Sequence, residues 1–406
     1  MLKKPNLIFA IFVLLAATLA CANPTNPATQ PQNVETIVAA TFQALTASAP
    51  NSGNPLPDET PGLLPHSMYF LNNDAAGLAQ VYRLEKDGKT VTQITLEPAK
   101  VDSYDVSRLD GSVVFVSNNQ LLLVNSDGSN RRLLMDGGPV DQNNPFLTSI
   151  SSPVFSPNNE TIAFGHGGLN FYSMATGQSN LVLENKYQDF NGNKVPMEIY
   201  NAENYSADGT KLLITISHYE GGTAAIYHLN GGALVQLQGA EGAFICCGEG
   251  EWTTDGSAFY AANSTLGMFS PGLWRVDAAT GNVTTLLSGD YNADPIHLAD
   301  EPFPAPDGQL YFFHGTIPAG SEFVDRAPLQ LVRSAADGAT NLTVIRPETY
   351  ELLNEALWAP DVSFVVAAVA SIPEIYQGGE VRLIYTDGQK GVVSLLPFAM
   401  NMKWGP

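Results

Sequence analysis

Residues 205–214 read YSADGTKLLI: an aromatic residue, two small ones, an Asp-Gly pair, then an apolar run. Glycine tolerates positive φ, so Asp-Gly marks a tight turn between strands. The run behind it reads as a short β-strand. The same arrangement recurs as VSRLDGSVVFV with Asp110, FSPNNETIAF with Asn158, WTTDGSAFYA with Asp255, PAPDGQLYFF with Asp307 and WAPDVSFVV with Asp361. From Asp110 to Asp361 these turn residues, Asp208 included, step by 48, 50, 47, 52 and 54. A repeat of that length is one supersecondary unit stacked many times.

A second series of turns is offset from the first. Its glycines are Gly88, Gly128, Gly177, Gly231, Gly281, Gly338 and Gly388, each between two short apolar strands. Each repeat therefore carries two hairpin turns and four strands, A to D. The last residues supply the missing first turn. Trp404-Gly405-Pro406 matches Trp358-Ala359-Pro360, and HSMYFLNN, AQVYRLE and KTVTQITL near the start lack a strand A of their own. This predicts an all-β fold: a seven-bladed β-propeller of four-stranded antiparallel blades, closed by the C-terminal strand pairing into the first blade. The alternative, two stacked β-sandwiches, does not predict the terminal match.

The segments FSPNNETIAF, YSADGTKLLI and WAPDVSFVV resemble the Ser-Pro-Asp-Gly repeats of the TolB-like, WD40-like (PD40-type) propeller family, over residues 63–406. The resemblance implies the fold and leaves the function open, since such propellers include binding scaffolds, peptidase gating domains and a few lyases. The sequence holds no G-x-S-x-G, so a peptidase reading lacks a nucleophile elbow.

Residues 1–21, MLKKPNLIFAIFVLLAATLAC, have a basic start and an apolar run too short for a comfortable membrane span. They resemble a bacterial lipoprotein signal ending at a lipidated Cys21. Ala20 fits that pattern; Thr18 and Leu19 are less usual in it, and the alternatives are ordinary signal cleavage near Ala20–Ala22 or an uncleaved anchor. Residues 22–62 read as a Pro-rich tether. Within it Val34, Ile37, Val38, Phe42 and Leu45 recur at helical spacing, which predicts a short amphipathic helix. The expected location is therefore outside the cytoplasm, lipid-anchored to the outer side of the cytoplasmic membrane or to another envelope membrane.

Forty acidic residues against nineteen basic ones give a net charge of −21. Such a chain is repelled by nucleic acid and by anionic headgroups, and suits cationic or neutral partners. In a propeller the A–B and C–D turns share one face. The B–C and D–A connections share the other, and here the long ones fall in blades 3 to 7, at 184–203, 263–272, 288–303, 314–328 and 371–380. Long loops on a rigid scaffold are where binding resides.

Three groups of residues on that face are candidates. The first is Glu203, Glu249, Glu251, Glu301 and Glu355, expected at the tops of the A strands around the channel mouth, where they could attract a cation. Tyr187, Phe190, Tyr200, Tyr219, Phe269, Tyr291, Phe323 and Tyr376 form the second, as contact aromatics or as the packing of the loops themselves. The third, His166, His218, His297 and His314, is a candidate metal set that needs convergence on one ion.

No resident cofactor and no catalytic residue is indicated. The expected function is a non-enzymatic binding or scaffold module for a protein or glycan. The rivals are a metal-assisted polysaccharide lyase or hydrolase and an assembly factor for an envelope complex. Cys246 and Cys247, the remaining pair once Cys21 is lipidated, are candidates for a vicinal disulfide beside the channel.

Overall fold

The computed structural model describes residues 62–406 except 192, 220, 241, 242, 244 and 246–249. Cys21, the tether helix, Glu249, Cys246 and Cys247 lie outside the described residues. The described chain is all-β, with no α-helix among its residues. Five antiparallel sheets come from consecutive stretches: 101–136, 151–184, 186–236, 250–288 and 296–350. Four of them have four strands; the third has five.

The sixth sheet has seven strands, ordered Leu353–Trp358, Phe364–Val369, Gly379–Tyr385, Val393–Trp404, Met68–Asn73, Ala79–Leu84 and Val91–Gln93. Its central member, Val393–Trp404, serves two neighbours. Leu396 pairs with Val381 on one side, while Trp404 and Met400 pair with Met68 and Leu71 on the other. These are four-stranded antiparallel units of the β-propeller kind.

The repeated turn has one mechanism. Asp208 accepts hydrogen bonds from the Ser206 hydroxyl (2.6 Å) and the Thr210 amide (3.0 Å), and Gly209 follows at φ 68°. Asp255 does the same with Thr253 and Ser257 before Gly256 at φ 63°. Those donors hold both carboxyls at about 2, below the usual carboxylate range. The turn acids are therefore structural.

The strands pack face to face. Each of six core clusters draws on two successive repeats, as where Leu298 and Phe313 meet Trp358 and Val365. Burying a side chain of that size contributes about 1.5–3 kcal/mol. Across the innermost strands three tryptophans each donate to a carbonyl of the preceding inner strand. Trp252 Nε1 donates to the Asn204 carbonyl (3.5 Å), Trp358 to Glu301 (3.0 Å) and Trp404 to Trp358 (2.7 Å).

One expectation is corrected here. Residues 184–203 are not an irregular loop. Lys186–Phe190 pairs with Asn193–Glu198 as a β-hairpin, adding a fifth strand to repeat 4. Asn191 in its turn takes φ 56°, and an Asn-Gly dipeptide in the sequence is a strong hairpin signal.

Candidate functional site

The innermost strands place their polar residues through β-bulges. The pairing register slips in Val101–Val106, Ser151–Phe155, Asn193–Tyr205, Ile296–Pro304 and Leu353–Trp358. Ser152, Glu301 and Asn401 take positive φ (47°, 49° and 53°) at matching places in their repeats. A bulge puts two residues opposite one, and so re-aims the side chains around it.

Lys403 is the charge centre of this inner wall. Its Nζ lies 2.8 Å from Asp105 Oδ1, and Asp105 Oδ2 accepts the Phe155 amide at 2.8 Å. Lys403 also attracts Glu203 and Glu355. Burial pushes the Glu203 carboxyl up to about 7, against the pull of a Thr215 hydrogen bond and of Lys403. Glu355 also rises to about 7 by burial, although it accepts the backbone amides of Asn401 and Met402. Glu355 therefore clamps Val393–Trp404 to its neighbour.

Glu251 is raised by its enclosed position to about 7, and opposed by Arg108. Its surface nonetheless stays open to water. Water reaching the carboxylate offsets much of the penalty of that enclosure. Glu251 directly precedes Trp252 and the 253–256 turn, and so lies toward the turn end of its strand. The expectation of one carboxylate ring at the loop-side mouth thus becomes a set spread along the strands. Asp300, missed in the sequence, adds a carboxyl raised by burial that accepts the Ser264 hydroxyl at 2.8 Å. The Glu301 carbonyl is the acceptor for Trp358.

On the loop face the aromatic candidates separate. Tyr200 is only 2% exposed and packs in the core with Ile214 and Ala225, its hydroxyl on Glu198, so it cannot be a contact residue. Phe269 is half-buried. Tyr187, Phe190 and Tyr219 are exposed on repeat 4, with Lys194 Nζ 4.5 Å from the Tyr187 ring centroid.

Across repeats 5 to 7 the loops are bonded to one another. Leu266 and Val324 exchange backbone hydrogen bonds (2.8 and 3.0 Å), and the Tyr291 hydroxyl donates to the Gly267 carbonyl at 2.5 Å. Arg326 donates to the carbonyls of Pro373 (2.9 Å) and Ile375 and to Asn354, and its guanidinium lies 4.9 Å from the Tyr376 ring centroid. The Tyr376 hydroxyl donates to Asp325 at 2.8 Å. Phe323 (70%), Tyr376 (63%) and Met268 (89%) are exposed on this layer. Met268 and Arg326 were not singled out from the sequence; nothing local marks either residue.

The four histidines do not assemble. His218 Nδ1 bonds the Met197 carbonyl, and His166 Nδ1 is buried without a hydrogen-bond partner among the described residues. His297 and His314 do meet, with Nδ1 3.0 Å from Nε2 and ring centroids 5.3 Å apart. Centroids that far apart put the two nitrogens head on, between the rings. That is the geometry of one shared proton; an ion would need lone pairs converging on a common point. Burial, and then His297, depress His314 to about 4, so it is neutral at pH 7. Among the described residues no three His, Cys, Asp or Glu side chains gather as metal ligands.

No protein-family model and no curated protein matches the chain. Among solved structures it is similar to one from a study of two prolyl endopeptidases, with TM-score 0.53 and 12% identity over 91% of this chain. This chain spans 55% of that one, about half its length. It is similar to oligogalacturonate lyase from Vibrio parahaemolyticus, with TM-score 0.50 and 11% identity over 74% of this chain and 82% of that one. It is also similar to TolB from Acinetobacter baumannii, with TM-score 0.41 and 14% identity over 95% and 89% of the two chains. At such identities the first two likenesses show the β-propeller fold alone.

Proposed function

We propose that this chain is an exported, lipid-anchored propeller of seven blades, closed by Val393–Trp404, that binds a protein or glycan partner through its loop face and catalyses no reaction. The shared strand Val393–Trp404 and the repeated tryptophan bonds support seven blades and closure.

One observation carries the binding reading: the two faces differ in kind. The turn face is built from short, self-satisfied Asp turns. The opposite face carries the hairpin of repeat 4 and the bonded loops of repeats 5 to 7. The described chain also begins on the turn face, where Leu64 donates to the Lys86 carbonyl at 3.0 Å beside the turn at Gly88. A lipid tether would thus join the propeller on the face opposite the long loops.

The test is photo-crosslinking in intact cells. A photoreactive residue at Tyr219 or Phe323 should give a discrete adduct, and one at Asp127 or Asp387 on the turn face should give none. Equal adducts from both faces, or none from either, would overturn the reading.

A further inference from the structure

Within that binding reading, and resting on it, the geometry points to a docking plate over repeats 5 to 7 that takes a cationic protein segment with apolar anchors. The plate is preorganised. Gly267 is the meeting point of repeats 5 and 6: Tyr291 bonds its carbonyl, the Phe323 ring lies against it, and Met268 follows it. Val324, next to Phe323, is fixed by its two bonds to Leu266. Asp325 and Arg326 then tie the same segment to repeat 7 through Tyr376, Pro373 and Asn354. Four loops thus act as one layer, and side chains exposed on such a layer lose little entropy on binding.

What the plate displays is apolar. Met268 and Phe323 are among the most exposed large hydrophobic residues of the described chain, and Tyr291, Ile372 and Tyr376 stand exposed around them. A cluster of that kind on fixed loops has the composition of an interface core, where Met and aromatic residues are enriched. Met268 has only a weak acceptor to offer a sugar hydroxyl, which favours a protein over a glycan.

The charge around it has one sign. Segments 263–272, 288–295, 318–328 and 371–378 hold Asp290, Asp294, Glu322, Asp325 and Glu374 against a single cation, Arg326. Arg326 is consumed by three carbonyl oxygens and a ring, and Asp325 by the Tyr376 hydroxyl. No ion pair among the described residues takes up the other four acids. An acidic rim steers a basic partner and repels an anionic membrane.

The experiment uses full-length protein in detergent and a twelve-residue peptide of alternating Lys and Leu, with its Glu-Leu counterpart and chitohexaose as comparators. Fluorescence anisotropy should show binding of the Lys-Leu peptide alone, weakening with salt. The pair Met268→Ser and Phe323→Ser leaves the charge unchanged and should weaken binding about tenfold. Asp290→Asn, Asp294→Asn, Glu322→Gln and Glu374→Gln together should flatten the salt dependence. Unchanged unfolding curves identify both variants as folded. Equal affinity for wild type and the Met268/Phe323 variant, or binding of chitohexaose in place of the peptide, would overturn the plate. If adducts still form from Tyr219, the plate fails alone; if no loop-face position gives an adduct, the binding reading fails with it.

Discussion

Replacing Glu203 with Gln tests the reading of the inner wall. In the folded chain burial raises this carboxyl from 4.5 to about 7, so the folded state holds a proton that the unfolded state has released. That difference makes Glu203 stabilising below pH 4.5, and the contribution is lost as pH rises through 7. The gap, at about 1.4 kcal/mol per pH unit, sets a ceiling of roughly 3.5 kcal/mol. Glu203 is only partly buried, and water around it reduces the effect to about 1–2 kcal/mol. Gln carries no charge at any pH and can keep the Thr215 hydrogen bond. Glu203→Gln should therefore exceed wild type by about 1–2 kcal/mol at pH 8 and match it at pH 4.5. The assay is urea unfolding followed by tryptophan fluorescence at pH 4.5, 6 and 8. The His297–His314 pair pulls wild-type stability the opposite way over much of this range, so the quantity to read is the difference between variant and wild type. A difference that stays constant with pH, or a variant less stable at pH 8, would show that burial does not hold a proton on Glu203.

Three further perturbations have definite outcomes. Lys403→Met removes the cation 2.8 Å from Asp105, whose side chain is mostly buried, and should cost about 2 kcal/mol at pH 8 by urea unfolding; Glu203 should then titrate higher still. Asp208→Ala strips the Ser206 and Thr210 hydrogen bonds from one turn and should cost about 1 kcal/mol at pH 7. That loss should vanish as pH falls through about 2, where wild-type Asp208 takes up its proton. Deleting residues 401–406 removes the partner of Met68 and the amides that Glu355 accepts, and circular dichroism should then show no cooperative thermal transition.

The repeated turns were legible because their chemistry is local. An Asp or Asn that bonds the amide two residues on, followed by a residue at positive φ, leaves a sequence mark that tertiary context does not alter. Trp358 and Trp404 were legible as a pair because each is followed by a small residue and a proline, and each donates to a carbonyl of the preceding inner strand. The hairpin at 186–198 is also written locally, in the Asn-Gly dipeptide of its sequence. Other features depend on distant partners. Glu355 reads as a loose channel carboxylate until Asn401 and Met402 arrive, and Tyr200 reads as a loop aromatic until the hairpin carries it into the core. Bulges defeat strict counting, since one extra residue changes which side chain faces inward. The bonding of Arg326 to repeat 7 bridges 47 residues to Pro373 and leaves no local trace.

In the proposed function one face of this propeller, and one sector of that face, does the binding. Hydrogen–deuterium exchange on the protein alone and on the complex purified with its photo-identified partner measures this directly. Added protection is expected at 264–270, 288–294, 318–326 and 371–378, with the turns at 107–112, 156–161 and 206–211 unchanged. Protection at those turns, with the loops of repeats 5 to 7 unaffected, would contradict it.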